Sequence, residues 1–289
     1  MIYRIIIGIV TYLFINIPAD VNADIAEYKS DYYGDGNRFE YGYGLLQSFF
    51  ISFNLNFETF WMFLLIIQSV FISMIYGPLH FFLNIPSFEF YAGYLLGTQV
   101  RYSIAALCFL VGMSVTRYWK LIFFIVAVSF HYAACIMLAM WVLSIACINM
   151  SKNKLIFYSF VSAFCVYMLS FKIIDIIVSF TVYEYYVGTD FFEPKSFSSI
   201  LYMAASLTIA AYIVKRTNHY YLNDFFRIYF IALLTALAFS SFAVVSGRLL
   251  NFIFLLEPLI YVGLFKYYNR LNYPSLLLII ISWSKAVFV

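Results

Sequence analysis

The sequence predicts an all-α membrane protein, a polytopic bundle of about 9–11 transmembrane helices. Of its 289 residues, 65% are hydrophobic, 22% are aromatic and only 11% are charged. A soluble domain of this size carries roughly 25% charged residues, so most of this surface must face something other than water. The apolar runs, such as Leu155–Phe180 and Phe225–Val245, are continuous. Barrel strands would alternate apolar and polar residues, so the spans are predicted to be helices.

The candidate spans follow one another without a linker or an internal repeat, so residues 1–289 are predicted to form a single integral membrane domain. They are Ile2–Ile17, Phe57–Tyr76, Phe88–Gln99, Tyr102–Thr116, Trp119–Met150, Leu155–Phe180, Ser199–Val214, Phe225–Val245, Leu249–Phe265 and Leu276–Val289. The first run allows two interpretations. Arg4, an apolar run and Val21-Asn22-Ala23 resemble a signal peptide with its cleavage point, or the run is a retained helix ending at Pro18. We favour the retained helix.

The charged residues predict the orientation of these spans. Lys and Arg concentrate in the cytoplasmic loops of membrane proteins. Four short basic loops are therefore predicted to be cytoplasmic: Arg117 with Lys120, Lys152 with Lys154, Lys215 with Arg216 and Arg227, and Lys266 with Arg270. Two other segments are rich in acids and are predicted to lie outside. They are the acidic, tyrosine-rich loop 20–44 and the shorter loop Thr181–Ser198.

The segment Trp119–Met150 has basic residues near both ends, so both ends are predicted to be cytoplasmic. One crossing cannot achieve this. Two short helices that meet around Phe130-His131 can, with His131 at the outer turn. The alternative is one long tilted helix that breaks the charge rule locally.

Three basic residues are predicted near the outer side, outside the cytoplasmic loops: Arg101, His131 and Arg248. A charge at membrane depth costs at least ~2.5–3.5 kcal/mol, so such residues usually face a cavity, a partner or a substrate. Each arginine could instead snorkel to lipid headgroups, or pair with an acid such as Glu89 or Glu257. Two arginines on one face would suit a diphosphate, because the guanidinium fork grips phosphate oxygens in pairs.

Residues of the acidic loop supply the remaining candidates. Asp24, Glu40 and His131 could take a proton from an attacking hydroxyl. Tyr28 and Tyr32 could stack on sugar rings, although tyrosine also belongs to the ordinary interfacial belt. The four cysteines lie in apolar runs without metal-ligand spacing, and no basic run suggests nucleic acid. We therefore predict no metal, no cofactor and no nucleic-acid partner.

Four motifs together resemble a known family, the EpsG family of bacterial exopolysaccharide and O-antigen polymerases, often grouped with the Wzy polymerases. In chain order they are Asp24-Ile-Ala-Glu-Tyr28-Lys-Ser-Asp-Tyr32, Phe39-Glu40-Tyr41-Gly42-Tyr43, Arg101-Tyr-Ser-Ile-Ala105-Ala106 leading to Ser129-Phe130-His131-Tyr-Ala, and Ser246-Gly247-Arg248-Leu-Leu-Asn-Phe252. The resemblance spans roughly Asp24 to Phe252. Tyr102 is a departure, because glutamine is expected there.

The resemblance implies a membrane glycosyltransferase of the bacterial inner membrane. Such an enzyme moves a growing glycan from undecaprenyl diphosphate to the sugar of a new lipid-linked repeat. It implies that Arg101, His131 and Arg248 are site residues, with Asp24 and Glu40 as further candidates. We expect Arg101 and Arg248 to bind the diphosphate, and His131 or one of the two acids to take the proton of the acceptor hydroxyl. Expected partners are the undecaprenyl-diphosphate-linked oligosaccharide and membrane lipids, with a chain-length regulator and a flippase as candidate partner proteins. The alternatives are a flippase for lipid-linked glycans and an O-antigen ligase.

Overall fold

The computed structural model of the protein is helical throughout the part it describes, with no strand there. It describes residues 2–18, 22–34, 39–87, 92–146, 195–216, 224–268 and 273–288, together with single positions between 151 and 168. The chain forms two compact units, Met1–Ala139 and Met140–Val289. The predicted helical membrane bundle is confirmed.

The first unit contains one long apolar helix and several shorter helices among its described residues. They are α1 (Ile2–Ile15), α2 (Ala23–Tyr33), α3 (Tyr41–Ser52), α4 (Phe57–Ile75), α5 (Pro78–Asn84), α6 (Val100–Ser114), α7 (Arg117–Phe130) and α8 (Ala134–Ala146), the last of which runs into the second unit. A 3₁₀ turn, Ile85–Ser87, and a π turn, Ala92–Leu96, lie between α5 and α6. The predicted span Phe88–Gln99 is therefore not one continuous α-helix in its described part.

The second unit contains four further helices among its described residues. They are α9 (Phe197–Arg216), α10 (Asp224–Ala238), α11 (Ala243–Tyr268) and α12 (Tyr273–Phe288). Most of the predicted span Leu155–Phe180 and of the predicted loop Thr181–Ser198 lies outside the described residues.

In the part of the chain that the structure describes, three helices are long and apolar enough to cross a membrane: Phe57–Ile75, Phe197–Lys215 and Ala243–Phe265. Shorter apolar helices accompany them at Ile2–Ile15, Val100–Ser114, Tyr118–Phe130 and Ala134–Ala146. These helices make the chain an integral membrane protein.

Packing in the first unit brings two helix ends together. α6 and α7 are joined only through Val115 and Thr116, so they run antiparallel and pack along each other. Gly112 allows this close approach, since a Cβ there would lie 2.9 Å from the Phe124 ring. The start of α6 and the end of α7 therefore lie at the same end of the pair, and these ends carry Arg101 and His131.

Helix α4 packs on the other side of α6. Ser103 donates a hydrogen bond of 2.6 Å to the Gln68 side chain, and both residues are fully buried. A buried polar pair of this kind specifies how two apolar helices align, because neither group finds another partner in lipid. The contact fixes the first turns of α6, next to Arg101.

The segment 20–44, predicted as a loop, contains α2 and the start of α3. Asn22 caps α2 by accepting the Asp24 amide hydrogen at 3.2 Å. Ile25, Tyr28 and Tyr32 are buried, and their spacing of three and four residues is that of one helix face. The density of acids concealed this periodicity in the sequence.

The break predicted in Trp119–Met150 is present at the predicted residues. α7 ends at Phe130, and His131 follows with an extended backbone of φ −159° and ψ 125°. The Ala134 amide donates a hydrogen bond of 2.9 Å to the His131 carbonyl oxygen, and α8 begins there. The first of the two helices packs against α6 and α3.

Candidate functional site

The candidate site lies where the ends of three helices of the first unit converge. α3 begins beside the end of α7, and Gly42 lies against Ser129 there. A Cβ on Gly42 would lie 2.8 Å from the Ser129 Cβ and 2.9 Å from its carbonyl carbon, too close for any other residue. This contact places Glu40, two residues before Gly42, next to His131, two residues after Ser129.

Arg101 is the central cation of the cluster. Its Nη1 forms an ion pair with the Glu40 Oε2. Its Nε–H donates a hydrogen bond of 3.4 Å to the Tyr28 hydroxyl, and its guanidinium carbon lies 3.8 Å from the centre of the Phe39 ring. The Arg101 side chain is 19% exposed and the Glu40 side chain 10% exposed. The guanidinium is therefore held from several sides but remains accessible to an incoming group.

Aromatic rings form the wall behind Arg101. The Tyr28 ring packs against Phe39, Tyr43 and Trp61, with centroid distances of 5.4, 5.8 and 5.4 Å. Burial raises the pKa of both tyrosine hydroxyls, so they remain neutral hydrogen-bonding groups. The wall lowers the local polarity, and this strengthens any contact between Arg101 and an anion.

Glu40 also faces His131. The Glu40 Oε1 lies 3.7 Å from the His131 Nδ1, just beyond hydrogen-bond distance. Nδ1 accepts a hydrogen bond of 3.1 Å from the Ala133 amide. Since Nδ1 accepts a hydrogen, the ring hydrogen of the neutral imidazole is on Nε2. One carboxylate thus lies between a guanidinium and an imidazole.

His131 is held by its neighbours on α6 and α7. The side chain is 6% exposed, and the Tyr102 ring meets the imidazole edge-on with a centroid distance of 5.4 Å. Tyr102 is the residue that departs from the expected family pattern. Its role here is to pack against the ring of His131, which sequence reasoning did not predict.

Asp24 is near enough to interact with Arg101 electrostatically. Burial raises the pKa of its carboxyl, Glu27 raises it further, and the positive charge of Arg101 lowers it. The net direction is upward, towards the range in which a carboxylate accepts a proton efficiently near neutral pH. Asp24 remains a candidate base at the edge of the cluster.

Tyr32 lies deeper than the site. Its ring packs against Phe57 and Phe60 with centroid distances of 5.7 and 5.2 Å. Its hydroxyl donates a hydrogen bond of 2.8 Å to the Leu55 carbonyl oxygen. Tyr28 and Tyr32 are 5% and 3% exposed. Both rings are covered by other rings, so the structure gives them a packing role. Their predicted stacking on a sugar stays a prediction.

Arg248 belongs to the second unit and lies in the early turns of α11. Sequence reasoning placed it between two spans, but α11 begins at Ala243 and passes through it without interruption. Gly247 provides room for a lysine, because a Cβ there would lie 3.0 Å from the Lys195 Nζ. Burial lowers the pKa of Lys195. The predicted convergence of Arg248 with Arg101 stays a prediction.

No group of three or more histidine, cysteine, aspartate or glutamate side chains could hold a metal ion among the residues that the structure describes. The convergent groups of the first unit are a guanidinium, a carboxylate and an imidazole. Such a set suits the binding of an anion and the transfer of a proton.

The sequence matches the EpsG family over residues 1–289, which is the whole chain. The protein belongs to the EpsG family. Neither a curated protein nor a solved structure matches it. EpsG is a family of Wzy-like polymerases, and membership assigns the chain to the membrane polysaccharide polymerases.

The EpsG-like motifs named above contribute most of the residues that the structure brings together. Glu40 and Phe39 come from one motif, and Arg101 and His131 come from the next. The contributions of Tyr43 and Gly42 were not predicted. The signal that could have indicated them is their place in the same motif, two and three residues after Glu40.

Proposed function

We propose that this EpsG-family protein polymerises lipid-linked oligosaccharide repeats. The donor is a growing glycan on undecaprenyl diphosphate, and the acceptor is a sugar hydroxyl of a new lipid-linked repeat. The acceptor oxygen attacks the anomeric carbon of the donor's first sugar, and the bond from that carbon to the diphosphate oxygen breaks. The diphosphate leaves with the electron pair, and the acceptor's proton passes to a base of the protein.

The observation that supports this proposal is the Arg101 cluster. A permanently charged fork lies partly exposed at a helix end, next to an imidazole, in a wall of aromatic rings. Arg101 would bind the diphosphate and stabilise the negative charge that develops on it as the bond breaks. Arg248 is the second candidate for this role, on the evidence of its motif.

Three groups are candidates for the base: His131, Asp24 and Glu40. Glu40 is engaged by Arg101 in an ion pair, so its carboxylate already has a cationic partner. Asp24 has the raised pKa of a half-buried acid. His131 has the side chain whose ordinary pKa lies closest to neutral pH, and we favour it.

The proposed location is the bacterial inner membrane, with several crossings and with the Arg101 cluster at the outer face. The support is the charge distribution, because the loops rich in Lys and Arg are predicted to be cytoplasmic. New repeats would reach this face through a separate flippase, and a chain-length regulator is a candidate partner. Membrane lipids surround the apolar helices.

The test is a gel of surface glycan from a deletion strain that is complemented with the wild type or a variant. The variants are Arg101→Ala, His131→Ala and Arg248→Ala, each with its membrane level confirmed. Lys29→Ala is the matched control, because Lys29 belongs to an exposed ion pair with Glu58 in the same unit. We expect the three variants to lose the ladder but keep a single repeat, and the control to keep the ladder.

Each outcome decides between the candidate functions. A ladder reduced to one repeat supports a polymerase, because repeats still reach the surface. Loss of even the single repeat would reject the polymerase in favour of a flippase or a ligase, because a repeat that is not flipped or not attached is missing from the surface glycan. An unchanged ladder in all three variants would reject these residues as the site.

A further inference from the structure

We propose that a diphosphate bound at Arg101 displaces Glu40, and that the released carboxylate moves to His131 and makes its Nε2 a proton acceptor. This inference rests on the proposed function, because it takes the lipid diphosphate as the ligand of Arg101. It assigns Glu40 as a positioning residue that couples donor binding to activation of the acceptor.

The first step is a competition for one guanidinium. Glu40 forms an ion pair with the guanidinium of Arg101. Carboxylate and phosphate oxygens use the same N–H groups of the guanidinium fork. A diphosphate carries more negative charge than one carboxylate, so it competes effectively for the fork. Glu40 is thus an internal substitute for the substrate's phosphate.

The surroundings of Arg101 allow its partner to change without moving the guanidinium. The Tyr28 hydroxyl accepts from Nε, and the Phe39 ring lies 3.8 Å from the guanidinium carbon. Neither contact involves the N–H group that faces Glu40. The cation therefore stays in place while its anionic partner is exchanged.

Glu40 can move without loosening the helix that carries it. It is the N-cap residue of α3, with an extended backbone, but its side chain makes no capping hydrogen bond. The backbone contact of Gly42 with Ser129 holds the start of α3 independently of the Glu40 side chain. The Glu40 carboxylate can therefore change its partner while the backbone that carries it stays in place.

His131 is the second partner within reach. The gap from the Glu40 Oε1 to the His131 Nδ1 is 3.7 Å, and a small rotation of the Glu40 side chain closes it. In the present arrangement, Nδ1 accepts the Ala133 amide hydrogen at 3.1 Å. A carboxylate that comes within hydrogen-bond distance of Nδ1 requires a hydrogen there instead.

The exchange therefore changes which nitrogen can accept a proton. With the hydrogen on Nε2, as now, the ring cannot remove a proton through Nε2. With Glu40 on Nδ1–H, the neutral ring carries its lone pair on Nε2, in the manner of the carboxylate–imidazole pairs of hydrolases. The base then becomes competent only after the donor has bound.

The first experiment measures binding of farnesyl diphosphate to the full-length protein in lipid nanodiscs. We expect Glu40→Gln to bind this probe about fivefold or more tightly, because the competing charge is gone. Arg101→Ala should lose the binding. Glu58→Gln, which neutralises the exposed carboxylate of the Lys29 pair, is the control and should bind as the wild type does. Unchanged or weaker binding by Glu40→Gln would overturn the competition.

The second experiment reads the tautomer of His131 directly by ¹⁵N NMR of histidine-labelled protein. The chain has three histidines, so the His131 signals are identified as those missing from His131→Gln. We expect farnesyl diphosphate to move the hydrogen from Nε2 to Nδ1, and farnesol to leave it in place. The change should be absent in Glu40→Gln, although that variant binds the probe.

The two readouts separate this inference from the proposed function, since neither uses a glycan. Binding without a change of tautomer would overturn the exchange and leave the diphosphate site standing. Equal binding by wild type and Arg101→Ala would overturn both the exchange and the assignment of Arg101. Whether the protein is a polymerase is then decided by the ladder of surface glycan alone.

Discussion

Two carboxylates of this chain, one largely buried and one fully buried, have different partners. Glu40, in the first unit, lies at a helix end between the guanidinium of Arg101 and the imidazole of His131. Glu257, in the second unit, lies within α11 and accepts hydrogen bonds from the hydroxyls of Tyr202 and Ser282. The first cluster is built from charged groups and is partly exposed. The hydroxyl contacts of the second join three helices in a fully buried core.

The difference separates two uses of a polar group in a membrane bundle. A carboxylate that links three helices through hydroxyls defines how those helices pack. A carboxylate between two cationic or basic groups at an accessible helix end can be displaced by another anion. We therefore assign Glu257 to the stability of the second unit, and Glu40 to the chemistry proposed for the first.

The largest expected effect is the loss of activity on changing Glu40 to glutamine, which is compared with the same isosteric change at Glu257. Glu40→Gln should lower polymer formation by about 100-fold, because the amide cannot hold the hydrogen-bearing Nδ1 of His131 with a negative charge. Glu257→Gln should keep most of the activity, since the amide oxygen still accepts from one hydroxyl and the amide NH₂ donates to the oxygen of the other. The measurement is the amount of ladder per amount of membrane-inserted protein.

Equal losses in the two variants would remove this distinction between the clusters. Full activity of Glu40→Gln would contradict any role for its charge. Glu58→Gln serves again as the control for loss of one acid in the first unit.

A smaller effect is expected on the stability of the second unit. Glu257→Ala should lower the free energy of unfolding by about 1–3 kcal/mol, because it leaves two buried hydroxyls without their acceptor. The measurement is the midpoint of unfolding in a titration with sodium dodecyl sulfate. A double variant with Tyr202→Phe should be less destabilised than the sum of the two single changes, since both remove one interaction. Additive losses would contradict the contact.

The approach of α3 to α7 is a steric condition for the first cluster. Gly42→Ala places a methyl group 2.8 Å from the Ser129 Cβ, so the helices must separate and carry Glu40 away from His131. We expect the ladder to fall by about tenfold, which is less than the ~100-fold that a full 1 Å misplacement of a catalytic group can cost. Ser129→Gly, added to Gly42→Ala, should restore part of it. Gly8→Ala is the control, since its nearest neighbours lie at 3.8 Å.

The sequence predicted the helical membrane class and several residues of the cluster for one physical reason. Charged groups in an apolar chain are few and costly, so each that remains has a partner or a task. Arg101 and His131 stand out for this reason, whereas Glu40 was a candidate because of the acidic segment and the motif in which it lies. Their proximity emerges only from the antiparallel pairing of α6 and α7 and from the contact of α3 with α7. Their catalytic roles remain predictions.

Other features could not be predicted, because local signals conflicted. The acids of segment 20–44 suggested a solvated loop, whereas Tyr28 and Tyr32 lie on one side of α2 and are buried. Ser246-Gly247 suggested a break before Arg248, but a helix tolerates one glycine at a cost of about 1 kcal/mol. In that place the glycine makes room for Lys195 instead. The contact between Tyr102 and His131 could not be predicted either, because no pattern in a single sequence indicates which side chains of two helices meet.

The smallest effect separates the two buried tyrosines of α2. Tyr28→Phe removes the acceptor of the Arg101 Nε–H, a bond of 3.4 Å, and should weaken binding of farnesyl diphosphate by about threefold to fivefold. Tyr32→Phe removes a hydroxyl that donates to the Leu55 carbonyl oxygen and does not contact Arg101, so binding should be unchanged. Both variants keep the ring and its packing. If both weakened binding equally, the effect would come from the stability of α2, and the Tyr28 hydroxyl would have no part in holding Arg101 for the diphosphate.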